Sequence, residues 1–426
     1  MEQNMNQTPY AQRLHIGIFG NTNSGKSSLL NAITNQNHSL VSSLPGTTTD
    51  LVFKAMELNG IGPVAFIDTA GFEDTTELGQ ERIKRTYLAI EKTDIALILL
   101  DIEDLLKTKN PKFITESSEI FKLIERLKQE KKNFIILINK TDLINTEEEQ
   151  YLLQEFCKEI KNLSNENPIQ ISAQKKEGLE NIKKEILRKL PEDFLKESFT
   201  KNLCEENDVV LLVMPQDIQA PKGRLILPQV QIIRELLDKK CTVVSCTTDK
   251  MKHTLDTLKN PPKLIITDSQ VFKFVYDNKP SESMLTSFSV LLAANKGDLQ
   301  KFIDGAKQIS KLTKDSKILI AEACTHAPLT EDIGTVKIPA MLKKFLGFEV
   351  SIIHVNGNDF LQDLSEIDLI IHCGSCMFNS AYVVSRQNQA EKSNVPMTNY
   401  GIAIAHMHGI LKRSIEIFDD IKNILN

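Results

Sequence analysis

The stretch "GNTNSGKS", residues 20–27, decides how the first part of this chain folds. It fits G-x-x-x-x-G-K-[ST]. It follows a strand-like run, "HIGIFG", and opens a helix-like run, "SSLLNAIT", which is the context the motif requires. Gly20 and Gly25 let the backbone curl so that its N–H groups point at phosphates. Lys26 supplies a cation to the β- and γ-phosphates, Ser27 offers a hydroxyl to Mg²⁺, and Ser28 follows it in the first helical turn. A Gly/Ser turn matching by chance is the bland alternative, and the strand–loop–helix context weighs against it.

Further short runs continue the rhythm on both sides of this loop. "PVAFID", "DIALILLD", "NFIILINK" and "NPIQISA" are apolar and β-rich, and "KSSLLNAIT" and "SSEIFKLIERLKQEKK" read as helices between strands. This is the βαβ alternation of a doubly wound, mostly parallel sheet covered on both faces. A charged segment, "LRKLPEDFLKESFTKNLCEEN", places a boundary near 192. The rhythm restarts with "DVVLLVM", "CTVVSC" and "KLIITD" as strands, then again near 286 with "KILIAEAC", "FEVSIIHV", "DLIIHC" and "VPMTNYGIAIAHM". The expected fold is three consecutive α/β domains, 1–192, 193–285 and 286–426.

Composition limits the function classes. The chain has 426 residues, 41% apolar and 25% charged, with a formal net charge of -5. Such a balance gives no electrostatic reason to expect nucleic acid as a partner. No apolar run approaches the roughly 20 residues of a membrane span, and "MEQNMNQTPYAQR" lacks the apolar core of a signal peptide. The expectation is a cytoplasmic protein without a membrane partner. Seven cysteines in that compartment suggest buried residues, a metal site, or both, rather than disulfides.

Three more motifs choose the nucleotide. "DTAG" (68–71) lets Asp68 hold Mg²⁺ through water and lets the N–H of Gly71 meet the γ-phosphate. In "NKTD" (139–142), Asp142 can accept from both the ring N–H and the amino group of guanine, a pair adenine lacks. Lys140 packs over the base, and Asn139 opens the motif. In "ISAQK" (171–175), the backbone near Ser172 and Ala173 can reach the guanine oxygen. "LPGTTTD" (44–50) is the switch candidate, with Thr48 chosen to complete the Mg²⁺ shell. The ordered set resembles the TrmE/Era-like GTPases over about the first 190 residues. Phe72 stands where Ras-like GTPases carry a water-orienting glutamine. In several relatives with a hydrophobic residue there, an asparagine of the phosphate loop binds K⁺, and Asn23 holds the matching place. Glu77 is a weak candidate for positioning water and reads better as a solvated loop charge. The resemblance implies slow intrinsic hydrolysis, as suits a switch.

The other end carries different chemistry. "IIHCGSCMFN" (370–379) follows a strand-like run, and upstream "EACTHAP" (322–328) ends another. Ligands collect outside the carboxyl ends of parallel strands, so Cys324, His326, His372, Cys373 and Cys376 can meet there, with Gly374 allowing the loop to bend. From the residues alone the set suits an iron–sulfur cluster, structural zinc or a CxxC redox couple, or it is no set at all. Cys241 and Cys246 fit a buried strand, Cys157 a helix and Cys204 a linker. His354 reads as a core residue. His406 and His408 fall at an expected strand end, where a structural role is the better reading.

Together, the GTPase motifs, the C-T-H … H-C-G-S-C set and the middle segment "APKGRLILPQVQ" (220–231) resemble the HydF family of GTPase maturation scaffolds for [FeFe]-hydrogenase. The resemblance spans the chain. It implies a [4Fe–4S] cluster on Cys324, Cys373 and Cys376. It also implies a diiron precursor as cargo, made with radical-SAM maturases and passed to apo-hydrogenase, and a middle domain that makes a homodimer. The fourth ligand is left among His326, His372, Asp217 and an exchangeable group. Rival readings are a GTPase of RNA modification or ribosome assembly with structural zinc, and a redox enzyme using the CxxC pair.

Overall fold

The computed structural model describes residues 9–34, 52–58, 60–69, 86–108, 118–191, 198–215, 225–322, 333–357, 359–376 and 378–418. The chain divides into two compact units, Met1–Lys196 and Glu197–Asn426. Three α/β domains are built on three sheets.

The first unit holds strands β1 (Leu14–Gly20), β2 (Val52–Leu58), β3 (Gly62–Asp68), β4 (Ile95–Asp101), β5 (Asn133–Asn139) and β6 (Ile169–Gln170), in the order β2-β3-β1-β4-β5-β6. All pairs are parallel except β2 with β3. β1 and β4 are buried at every residue. This is why they read as continuous apolar runs: helices cover both faces of a parallel sheet. One apolar cluster, containing Leu14, Ile16, Leu29 and Leu97, fills one face, and another, containing Phe19, Ile98, Leu123 and Phe156, fills the other. The antiparallel edge strand β2 is not among the expected strands. The run "NPIQISA" supplies only two strand residues, Ile169 and Gln170.

The second unit contains two four-stranded parallel sheets. β7 (Val209–Val213), β8 (Thr242–Cys246), β9 (Leu264–Thr267) and β10 (Met284–Ser287) lie in the order β10-β9-β7-β8. β11 (Lys317–Glu322), β12 (Ser351–Asn356), β13 (Leu369–His372) and β14 (Met397–Asn399) lie in the order β12-β11-β13-β14. A single apolar cluster runs from Leu211 and Ile265 of the former to Leu319 and Ile370 of the latter.

Several expectations are corrected here. "YGIAIAHM" is a helix, Tyr400–Met407, capped by the Asn399 side chain accepting from the Ile402 amide at 2.9 Å. His406 therefore lies in the last turn of a helix and His408 just past it, not at a strand end. His354 is exposed on the edge strand β12. Cys204, expected in a linker, is buried in the core. Cys241 is buried just before β8, and Cys246 ends this edge strand only half-buried. Burial, with the neighbouring Cys204 thiol, pushes the Cys241 thiol up to about 11. That thiol donates to the Glu205 carbonyl at 3.2 Å.

Candidate functional site

In the first unit the register aligns the carboxyl ends of four strands. Ile18 of β1 pairs with Asp68 of β3, Gly20 with Leu99 of β4, and Asp101 of β4 with Asn139 of β5. Loops that leave these ends share one edge of the sheet. The order reverses beside β1, and ligands of open α/β sheets bind at such a switch point.

The phosphate-loop residues leave β1 there and enter the helix Lys26–Thr34. Gly25 has φ +95°, and a Cβ there would stand 2.3 Å from Asn139 Nδ2. Only glycine allows that approach. Asn23 also adopts the left-handed region, φ 64°, which Asn tolerates better than most residues. Lys26 Nζ donates to the carbonyls of Gly20 at 2.9 Å and Asn21 at 2.7 Å, so its ammonium crowns the loop. Ser27 and Ser28 are exposed. Ser24 was not singled out in the sequence. It is fully buried, and among the described residues its hydroxyl has no hydrogen-bond partner.

The base-recognition motif is tied to that loop. Asn139 is buried, donates from Nδ2 to the Ser24 carbonyl at 2.9 Å and accepts at Oδ1 from the Ala173 amide at 3.0 Å. One side chain thus joins three expected nucleotide-binding segments. Lys140 has φ 64° and donates to Asp101 at 2.5 Å and Glu103 at 2.9 Å. Its partial burial opposes the charge, but these two carboxylates hold its pKa above the ordinary lysine range. Asp142 is the middle residue of the following 3-10 turn, Thr141–Leu143, and is half-buried. Thr141 donates to the Ile171 carbonyl. Ser172 pairs with Glu177 through two backbone bonds, at 3.2 and 3.0 Å, which fixes the loop carrying Ser172 and Ala173. Asp68 ends β3. Thr48, Gly71, Phe72 and Glu77 lie outside the described residues.

In the third sheet β11 and β13 are adjacent and parallel, with Ala321 opposite His372. The Cys373 amide continues the ladder by donating to the Ala321 carbonyl at 2.9 Å. Cys373 and Cys376 are therefore placed at the carboxyl end of β13, both half-buried. Cys324, His326 and Asp217 lie outside the described residues. Among the described residues no three His, Cys, Asp or Glu side chains group as metal ligands. The bend between the cysteines is not where the sequence placed it. Ser375 takes the left-handed conformation, φ 49°, whereas a Cβ on Gly374 would meet only Leu292 Cδ2 at 4.0 Å.

His372 differs from expectation. It is 1% exposed, and both ring nitrogens are engaged. Nδ1 lies 2.8 Å from the Cys373 carbonyl and 3.2 Å from Ser375 Oγ, and Nε2 lies 2.6 Å from Arg386 Nη1. Burial, then the Arg386 charge, pushes its pKa down to about 3, so the ring is neutral at pH 7. In this arrangement it braces the cysteine loop from behind, and neither nitrogen is left to face a metal. Glu322, which the sequence reading passed over, ends β11 and accepts from the Tyr400 hydroxyl at 2.9 Å. Gly334 packs against both: a Cβ there would stand 2.2 Å from each of those oxygens.

The donor chemistry fits an iron–sulfur cluster. Two thiols three positions apart on one loop can serve as ligands, and two buried cations, Lys296 and Arg386, lie behind that loop. Lys296 Nζ donates to the carbonyls of Ser375, at 3.0 Å, and Phe378.

Residues 15–140 match the family model described as 50S ribosome-binding GTPase. The GTPase Der of Kosmotoga olearia is 36% identical over 152 residues, which is 34% of this chain and 32% of that protein. The tRNA modification GTPase MnmE of Thermotoga maritima is 35% identical over 185 residues, 42% of this chain and 36% of that protein. The chain thus spans about a third of the length of these curated relatives. Among solved structures, Era of Aquifex aeolicus aligns at 19% identity and TM-score 0.33, over 57% of this chain and 98% of that one. The G domain of the Thermotoga maritima FeoB iron transporter aligns at 22% identity and TM-score 0.30, over 42% and 98%. No helix among the described residues is long and apolar enough to cross a membrane. Residues 199–297 match the hydrogen maturase F dimerization domain and residues 300–417 its tetramerization domain, and these two consecutive models take in more than half of the chain. With a P-loop GTPase domain in front of them, the chain belongs to the hydrogen maturase F (HydF) family.

Proposed function

We propose that this chain is a GTP-hydrolysing scaffold and carrier that binds a [4Fe–4S] cluster and delivers a diiron precursor to apo-[FeFe]-hydrogenase. The observation that carries the reading is the placement of Cys373 and Cys376 at the carboxyl end of β13, beside the end of β11. In sequence Cys324 follows only two residues after Glu322. Three thiolates from two adjacent strand ends would hold the cluster, leaving one iron for His326, Asp217 or an exchangeable ligand. When bound, the cluster supplies an iron with an accessible coordination position, which an incoming diiron unit needs.

In the first domain, Lys26, Ser27, Ser28 and the amides after Gly20 would bind the phosphates. Asp68, Thr48 and Ser27 would serve Mg²⁺, Gly71 the γ-phosphate, and Asn139, Lys140, Asp142, Ser172 and Ala173 the guanine. Asn23 would help bind K⁺. Hydrolysis would govern partner exchange with radical-SAM maturases and apo-hydrogenase rather than drive cluster chemistry. The working division is 1–192 for GTP, 193–285 for dimerisation and 286–426 for the cluster.

RNA modification is named for MnmE, but that alignment covers 42% of this chain, and the thiol-bearing domain matches a hydrogenase-maturase model instead. The test is transfer. Chain loaded by the maturases should restore hydrogen evolution to apo-hydrogenase, and Cys373→Ala chain treated identically should not. Equal restoration by both would overturn the reading.

A further inference from the structure

Two cations are buried beneath the cysteine loop, on two different helices. Lys296 ends the helix Phe288–Lys296 and is 5% exposed. Arg386 lies in the helix Ser380–Lys392 and is 1% exposed. Lysine and arginine are seldom this buried. Removing such a charge from water costs several kcal/mol per ion unless something compensates.

Among the described residues, what faces Arg386 is polar but not anionic. Its Nη1 meets His372 Nε2 at 2.6 Å, and its Nη2 donates to the Gly357 carbonyl at 2.8 Å and to the Tyr382 hydroxyl. Among the described residues its Nε has no hydrogen-bond partner. The guanidinium lies 4.2 Å from the Tyr382 ring centre and 4.6 Å from that of Phe360. Lys296 donates to two carbonyls of the loop itself, those of Ser375 and Phe378. Gln387 of the second helix accepts from the Asp298 amide at 2.9 Å and donates to the Asp298 carbonyl at 3.1 Å, which ties it to the turn two residues past Lys296. Both cations are thus fixed in place, one bonded to the loop directly and the other through His372.

A [4Fe–4S] core with three thiolates carries net negative charge, and one unit more after reduction. Fixed cations in a low-dielectric site act strongly on such a charge, and outer-shell groups orient ligands and tune potentials. We propose that Lys296 and Arg386 are positioning residues that shape the Cys373–Cys376 loop and provide the buried counter-charge for an anionic iron–sulfur cluster. This inference rests on the cluster reading above.

The experiment compares full-length wild type with Arg386→Gln, Arg386→Lys, Lys296→Gln and Lys296→Arg, each reconstituted anaerobically with iron and sulfide. Circular dichroism reports folding, iron and sulfide analysis reports content, and redox titration followed by electron paramagnetic resonance reports the potential. The glutamine variants should hold less cluster, and at a fixed ambient potential their reduced-to-oxidised ratio should fall about tenfold, a shift of ~59 mV for one electron. The charge-keeping variants should stay near wild type. Wild-type potentials in both glutamine variants would overturn the inference, as would equal shifts in the charge-keeping ones, which would mean packing rather than charge. If Arg386→Gln does not fold, the Lys296 pair decides by the same criteria. Wild type that takes up no iron and sulfide would overturn the cluster reading itself, and the inference with it.

Discussion

Asn139 donates its side-chain N–H to the Ser24 carbonyl at 2.9 Å, so the start of the guanine motif holds the phosphate loop. The same side chain accepts from the Ala173 amide. Asn139→Ala leaves a buried carbonyl and a buried amide unpaired, at a cost of about 2 kcal/mol. GDP affinity should fall roughly thirtyfold. Fluorescent-nucleotide titration reads the affinity, and calorimetric unfolding reads the loss of stability. Wild-type affinity would show that the link between the loops is dispensable.

Base choice rests on Asp142. Asp142→Asn presents a donor where guanine also has one, so GTP binding should weaken and xanthosine triphosphate should gain. Competition between the two nucleotides measures this directly. Unchanged GTP preference would remove Asp142 from the base site.

Potassium is tested at Asn23, already held in the left-handed region. Hydrolysis should be faster in K⁺ than in Na⁺ at equal ionic strength, and Asn23→Ala should erase the difference. Equal wild-type rates in the two salts would end the K⁺ proposal.

His372 is braced between Arg386 and the Cys373 carbonyl. His372→Asn should therefore reduce cluster content and thermal stability while leaving the g-values of the reduced cluster unchanged. A changed set of g-values in that variant would mean that the ring is a ligand after all.

The legible parts of the fold are the fully buried ones. "IALILLD" and "NFIILIN" are buried along nearly their whole length, and such runs announce parallel strands. The edge strands β8 and β12 are legible as strands too, but they are half-exposed, so the burial expected of Cys246 and His354 could not be read from a strand that lacks a neighbour. "GIAIA" misleads for the opposite reason: Gly401 to Ala405 are buried on every side, so a helix shows no polar stripe. The nucleotide motifs could be read because fixed residue spacing within a strand–loop–helix context defines them. The support behind the cysteine loop could not. Nothing in "SAYVVSRQNQAEK" marks Arg386 as buried, and Lys296 looks like any last-turn lysine. The neutrality of His372 comes first from its burial and then from Arg386, 14 residues away, and neither shows in the sequence.

The central claim is that a chain beginning with a GTPase domain ends in an iron–sulfur site. The most direct measurement is iron, sulfide and zinc analysis of protein purified without oxygen, wild type beside Cys324→Ala, Cys373→Ala and Cys376→Ala. The account predicts brown wild type with about four iron and four sulfide per chain, and each variant nearly without either. Colourless wild type with about one zinc and no sulfide, or variants with full iron and sulfide, would contradict it.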